Sequence, residues 1–86
     1  MNRKHFFELI DEKREYQDDK WGRLPGIWPD PDEWKLTVLT EEVGEVARGI
    51  LERDIQQVFD ELVDVAAVAV AWMEAIYETY EDSKKS

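Results

Sequence analysis

Two groups of acidic residues lie in stretches whose apolar pattern predicts helix. One is the run Glu41 to Glu45 and the other is the run Asp60 to Asp64. The helical period of roughly 100° per residue puts several of these acids on the same face as apolar side chains. Ionised carboxylates are costly to bury unless they are paired or bind a metal ion. The spacing therefore indicates a cage of carboxylate oxygens for a hard divalent cation.

A helical wheel separates the inward acids from the outward ones. Glu41 and Asp60 fall on the outer side of their helices, toward solvent. A single pair of acids three residues apart is usually a surface pair on an acidic chain. Two pairs, each centred on an apolar stripe, instead favour metal ligation. The acids that share a face with core residues, and are the predicted ligands, are Glu42, Glu45, Glu61 and Asp64.

The types of residue restrict the choice of metal. Carboxylates without imidazole or thiolate suit Mg²⁺, with Mn²⁺ as a substitute. The chain has one histidine, His5, and no cysteine, so a Glu-x-x-His di-iron site and a thiolate site are not expected. Divalent ions held by carboxylates bind phosphate oxygens and lower the pKa of a bound water. Hydrolysis of a phosphoanhydride is the reaction class that this chemistry favours.

Three helices are expected to position these acids, over residues 2–20, 30–53 and 54–80. Asn2, Asp30 and Asp54 are predicted N-caps, and Pro31 suits the first position of the second helix. Residues 81–86 form a polar tail that we expect to fray. No stretch has the pattern of a strand. The expected fold is all-α: one domain over residues 1–86, an antiparallel chain of three helices.

Composition excludes several classes of function. The 86 residues carry 21 acids and 11 bases, a formal charge of −10. This charge argues against a nucleic-acid surface and against docking on anionic lipid. The longest apolar run, Val65–Met73, is far shorter than the ~18 residues that span a bilayer. The charged N-terminus does not resemble a signal peptide, so a cytoplasmic protein is expected.

The same run, Val65–Met73, predicts self-association. It is apolar on every side of its helix, which is typical of a helix buried all round. A monomer of three short helices can hardly surround it, so we expect a homo-oligomer, a dimer or tetramer, with this run at the interface. An ordinary core helix is the alternative.

The acid spacing resembles a family signature. The chain has Glu-Glu-x-x-Glu, then fifteen residues from Val46 to Asp60, then Glu-x-x-Asp. This pattern is similar to the signature of MazG-type all-α nucleoside triphosphate pyrophosphohydrolases. The segments Gln17–Gly22 and Glu61–Trp72 resemble the flanks of short members of that family. The resemblance extends from about Tyr16 to Ile76, which is most of the chain.

The resemblance implies an activity and a set of roles. Members hydrolyse the bond between the α- and β-phosphates of (d)NTPs, releasing (d)NMP and pyrophosphate, and assemble as dimers or dimers of dimers. By position, the four inward acids would be the Mg²⁺ ligands, the same four that the wheel selects. Glu41 matches the first acid of the motif, and its off-centre position suits either support of the ligands from behind or help in orienting the attacking water. The implied fold is a MazG-like helical bundle completed by oligomerisation.

The chain departs from the family at its C-terminus. Many members continue into a fourth helix whose Lys and Asn residues contact substrate, whereas this sequence ends at Ser86 and has a single Asn, Asn2. Phosphate charge would then be met by metal and by other cations, among them Lys13, Lys20, Lys35 and Arg23. The predicted substrate-binding residues are Gln17, Lys20, Trp21 and Lys35.

Some alternatives stay open from sequence alone. Trp21, Trp28 and Trp34 could stack on a base or seal the edge of a small core. Lys35 could face the site or lie along the apolar stripe. The short C-terminus also leaves room for a non-catalytic helical oligomerisation or regulatory module with a structural or relic metal site.

Overall fold

Three α-helices make up the described part of the chain. The computed structural model describes residues 1–21 and 31–85, with side chains for residues 1–20 and 32–81. The helices are α1 (Arg3–Trp21), α2 (Pro31–Leu51) and α3 (Ile55–Lys85), and these ranges contain no strand. The predicted all-α class is therefore confirmed. None of the described helices combines the length and apolar character that crossing a bilayer requires.

Local hydrogen bonds explain where the helices begin. The His5 N–H donates to Asn2 Oδ1 at 3.2 Å, and the Gln57 N–H donates to Asp54 Oδ1 at 3.1 Å. Each bond joins an N-cap side chain to the amide three residues later, which satisfies one of the free donors of the first turn. Both predicted caps are confirmed. The third, Asp30, lies outside the described residues.

A tight turn joins α2 to α3. The Asp54 N–H donates to the Gly49 carbonyl at 2.9 Å, and Arg53 has a φ of 55°. This is a Schellman ending, in which a residue in the left-handed region closes the helix; the position usually takes glycine. A Cβ added at Gly49 would lie 3.0 Å from Val58 Cγ2 and 3.3 Å from the Val58 amide nitrogen. Glycine at this position therefore allows α2 and α3 to approach closely.

The helices run up, down and up, with α3 in the middle. Trp72 Nε1 donates to Asp32 Oδ1 at 2.7 Å near one end of the α2–α3 pair, and Gly49 faces Val58 at the other, so these helices are antiparallel. The Phe6 and Phe59 rings lie 6.2 Å apart, near the start of both α1 and α3. Over the described ranges α3 packs against both other helices, while the α1 and α2 backbones do not contact each other.

This arrangement changes the interpretation of the run Val65–Met73. Ala67, Val68 and Ala71 form the buried apolar core of the described residues, and Met73, at 67 %, is the one residue of the run that is exposed. The monomer thus covers most of the run, because α3 is flanked on two sides. The third side of α3 instead carries an exposed apolar stripe at helical spacing, made of Ile55, Leu62, Met73, Ile76 and Tyr80.

The last helix is longer than predicted. It continues to Lys85, where the sequence predicted an end near Tyr80 and a frayed tail. Residues 54–86 contain no glycine or proline, so nothing in the backbone chemistry stops the helix earlier. Residues 81–85 are helical rather than frayed.

Candidate metal centre

Three of the four predicted ligands come together. Glu42 on α2 and Glu61 and Asp64 on α3 each place a carboxylate oxygen within 4.8 Å of the others. Residues three apart share a helix face, so Glu61 and Asp64 point the same way, and the antiparallel register brings Glu42 opposite them. All three side chains are half-buried. Two helices thus supply a compact group of oxygen donors.

One oxygen of this carboxylate trio has no donor among the described residues. Glu61 Oε2 is shielded from solvent and has no hydrogen-bond partner among the described residues. A buried acceptor without a donor costs free energy, and a cation would remove that cost. In an octahedral Mg²⁺ site the bonds of about 2.1 Å place ligand oxygens roughly 3–4 Å apart. The trio needs only a small contraction to reach that spacing, so its donor type and geometry fit the ion.

Negative charge and burial act most strongly on Glu42. Its pKa is raised to about 7, first by burial, then by a hydrogen bond with Glu61, and then by the negative charges of Asp64, Glu61 and Glu41. The Glu42 carboxyl therefore keeps its proton to a higher pH than an ordinary glutamate does. A divalent cation would replace that proton and turn repulsion between the carboxylates into ligation.

A lysine from the third helix completes the surroundings. Lys13 Nζ on α1 lies 3.0 Å from Asp64 Oδ1, and this bond raises the lysine pKa. The sequence suggested Lys13 only as a general phosphate contact. Its helical spacing with Leu9 and Gln17, on the inner face of the first helix, was the signal that could have placed it at the site.

Glu45, the fourth predicted ligand, lies outside the trio. Its side chain is 37 % exposed and its carboxylate is 3.8 Å from the Arg48 guanidinium. Although the wheel puts Glu45 only about 60° from Glu42, it lies about one turn further along α2, toward Gly49 and its contact with Val58, and so away from Asp64. The described chain therefore brings three of the four predicted carboxylates together.

The two acids predicted to face outward are both exposed. Glu41 lies beside Glu42 and contributes to the raised pKa of that residue. Asp60 Oδ1 accepts a hydrogen bond from Gln56 Nε2 at 3.0 Å, one helical turn away. Glu41, the predicted catalytic residue, is thus next to the trio and open to water.

Two of the predicted substrate-binding residues belong to a separate polar cluster. Gln17 is buried, 5 % exposed, and its Oε1 accepts from Arg14 Nη1 at 3.1 Å. Arg14 also pairs with Glu74, Nε to Oε1 at 3.1 Å. The pKa of Lys35 is lowered, first by burial and then by the charge of Arg14, with Asp18 and Glu74 acting against them. Gln17 and Lys35 therefore lie with Arg14. Lys35 is about two turns from Glu42 along α2, and Gln17 is about one turn beyond Lys13 along α1.

The other two predicted substrate-binding residues lie near the end of α1. Lys20 is exposed, and its Nζ is 5.7 Å from the centroid of the Tyr16 ring. Trp21 is the last residue of α1, but its side chain and the loop that follows, with Trp28 and Arg23, lie outside the described residues.

Comparisons with known proteins do not add to this description. No protein family, curated protein or solved structure matches the chain. The geometry of the described residues and the spacing of the acids therefore carry the functional argument.

Proposed function

We propose that the protein is a Mg²⁺-dependent nucleotide pyrophosphohydrolase that cleaves the α–β phosphoanhydride of (d)NTPs. The observation that carries this proposal is the convergence of Glu42, Glu61 and Asp64 within 4.8 Å, with a shielded Glu61 oxygen that has no partner among the described residues. Oxygen-only donors of this kind suit Mg²⁺ in phosphate chemistry. The resemblance of the acid spacing to MazG-type enzymes supports the same reaction.

The trio would hold the metal, with Glu45 as an additional ligand if its side chain turns away from Arg48. The bound ion would supply charge neutralisation at the phosphates and a more acidic water. The protein's own contribution is to fix three carboxylates on two packed helices. Because α2 and α3 are joined by a tight turn and packed along their length, the oxygens are held in place before the substrate binds.

Glu41 is suited to act on water because it is exposed and one residue from Glu42. We assign it the role of accepting a proton from the attacking water. The water oxygen forms a bond to the α-phosphorus, the bond from that phosphorus to the bridging oxygen breaks, and pyrophosphate leaves with the electron pair. Lys13 and Lys20 are placed on the α1 side to offset the phosphate charge.

We also propose that the working form is a homo-oligomer, at least a dimer. The chain exposes 6925 Å², whereas a compact monomer of 10.2 kDa exposes about 5,300 Å². The difference, about 1,600 Å² for one chain, is roughly twice the ~800 Å² that each partner covers in a standard interface. A second copy laid on the exposed stripe of α3 would cover apolar side chains such as Leu62, Met73 and Ile76.

A second function is favoured by one observation. The Lys13 ammonium already neutralises Asp64, at 3.0 Å, so part of the charge of the trio is balanced without a metal. That arrangement would suit a non-catalytic oligomerisation module in which the acids are a structural or relic site. The two functions differ in whether a bound metal produces turnover.

A hydrolysis assay separates them. The protein is incubated with a panel of NTPs and dNTPs plus Mg²⁺, and pyrophosphate and orthophosphate are assayed separately. We expect pyrophosphate and a nucleoside monophosphate, lost in Glu61→Gln and retained in the exposed control Glu15→Gln. Metal binding without hydrolysis of any nucleotide would favour the non-catalytic module, and orthophosphate as the first product would refute α–β cleavage.

A further inference from the structure

A cleft between α1 and α3 lies next to the carboxylate trio. Its volume is about 370 Å³, within the usual range of small-molecule sites, and Leu9 and Val63 contribute apolar walls. Lys13 lines this cleft while its Nζ is 3.0 Å from Asp64 Oδ1. One side chain therefore links the cleft to the trio. A ligand with phosphates at the carboxylates can extend its other end into the cleft.

The walls of the cleft suit a flat ring. Tyr16 and Phe59 both line it, and they are 55 % and 36 % exposed, so part of each ring is open to a ligand. Stacking on aromatic side chains is a general way of binding a nucleobase. Lys13 and Lys20 place their ammonium groups 5.2 and 5.7 Å from the Tyr16 ring centroid. Positive charge thus lies beside the aromatic wall, within reach of the phosphate of a nucleotide whose base stacks there.

Apart from Lys13, the charged groups of the cleft are acceptors. Glu12 and Asp60 line it with carboxylates, and one Asp60 oxygen already accepts from Gln56, at 3.0 Å. An ionised carboxylate only accepts hydrogen bonds, and it is best matched by two adjacent N–H donors. Guanine presents such a pair on one edge, its ring N–H and its amino group. Uracil and thymine present one N–H between two carbonyl oxygens, which the carboxylates repel.

We propose that this cleft is a nucleobase site that binds guanine in preference to uracil and thymine. The inference rests on the proposed function in taking a nucleotide as the ligand, and it adds the preference for the base. Adenine and cytosine each have one amino group beside an acceptor, so their affinity for the cleft is intermediate. The base stacks on the aromatic wall, its donors meet Glu12 and Asp60, and its phosphates extend past Lys13 to the trio.

Binding of nucleoside monophosphates tests this without hydrolysis. ¹⁵N-labelled protein saturated with Mg²⁺ is titrated with GMP and with UMP, which carry the same sugar and phosphate and have no phosphoanhydride to cleave. We expect GMP to shift the amide signals of residues 9–16 and 59–63 and to bind about tenfold more tightly than UMP, as the loss of a charged hydrogen bond implies. Equal affinities, or shifts near Glu42 and Asp64 with none in residues 9–16, would overturn the proposal.

Three variants show which contacts act. Glu12→Gln should reduce the preference for GMP over UMP severalfold, and Tyr16→Ala should weaken both ligands. Asp11→Asn, an exposed change on α1 outside the cleft, is the control. If Glu12→Gln behaves like Asp11→Asn, the carboxylate contact is wrong and the proposal fails.

Failure of this inference can be told from failure of the proposed function. Equal kcat/KM for GTP and UTP in an active enzyme would refute the guanine preference but leave the proposed hydrolase activity standing. Selective GMP binding without hydrolysis of any nucleotide would support the cleft and refute the hydrolase.

Discussion

Replacing Glu42 by Gln should stabilise the metal-free protein, and only at neutral and alkaline pH. The folded-state pKa of Glu42 is about 7, against 4.5 for an ordinary glutamate. Below pH 4.5 the carboxyl is protonated in both the folded and unfolded states and contributes nothing. Between pH 4.5 and 7 only the unfolded state releases its proton, so the free energy of unfolding falls as pH rises. Above pH 7 the whole penalty is present.

The size of the effect follows from the pKa. The full difference corresponds to about 3.4 kcal/mol, and because Glu42 is partly exposed we discount it to about 1–2 kcal/mol. A domain of this length responds to 1 kcal/mol with a change in Tm of roughly 4–8 °C. We therefore expect Glu42→Gln in EDTA to melt roughly 5–10 °C above the parent protein at pH 8 and at nearly the same temperature at pH 4.5.

The assay is thermal unfolding followed by circular dichroism at both pH values, with Glu15→Gln, an exposed change on α1, as the control. Saturating Mg²⁺ should reverse the order at pH 8, because an ion at 100 times its Kd adds about 2.7 kcal/mol to the parent protein only. If Glu42→Gln is no more stable than the parent at pH 8, or is stabilised equally at both pH values, the carboxylates do not repel one another as described.

Three further predictions concern metal, turnover and assembly. Mg²⁺ affinity, measured by calorimetry, should be about tenfold lower at pH 6 than at pH 8, because the Glu42 carboxyl, with a pKa of about 7, must release its proton to bind the ion; an unchanged affinity would contradict this. In assays of pyrophosphate release, Glu61→Gln and Asp64→Asn should each nearly abolish turnover, and the double variant should lose little further activity. Glu41→Gln should reduce the rate only in part. Additive losses in the double variant would mean that the acids do not act as a unit. Met73→Lys should dissociate the oligomer in sedimentation experiments while the helices remain folded, and Glu78→Lys, an exposed change on the same helix, is the control. A parent protein that sediments as a monomer would refute the interface.

The helices could be predicted from the sequence because their signals are local. N-caps at Asn2 and Asp54 bond to the amide three residues later, and those bonds depend on no distant contact. The end of α3 was placed too early, because polar residues near Ser83 suggested fraying while no glycine or proline stops the helix. Caps are therefore easier to predict than a helix end without a stop signal.

The site could be predicted only in part, because a helical wheel describes one helix at a time. It identified Glu42, Glu61 and Asp64 as inward, and the structure brings these three together. It could not show that Glu45 lies one turn beyond its partners, since that depends on the register of α2 against α3. Nor could it place Lys13 at Asp64, which depends on where α1 packs.

The apolar run of α3 shows the same limit for assembly. A helix that is apolar all round is buried, but its sequence does not say what covers it. The structure covers Val68 with neighbouring helices of the same chain and leaves Leu62 and Met73 exposed. The expected interface therefore moves from the run itself to the third side of α3.

The central claim is that Glu42, Glu61 and Asp64 form one divalent-metal site, and paramagnetic broadening by Mn²⁺ tests it most directly. Substoichiometric Mn²⁺ is added to ¹⁵N-labelled protein at pH 8, and the loss of each amide signal is followed. We predict that signals near residues 42, 61 and 64 disappear first, that excess Mg²⁺ restores them, and that Glu61→Gln prevents the effect. Broadening that is strongest elsewhere on this acidic chain, for example near Asp18 and Asp19, or that is unchanged in Glu61→Gln, would contradict the account.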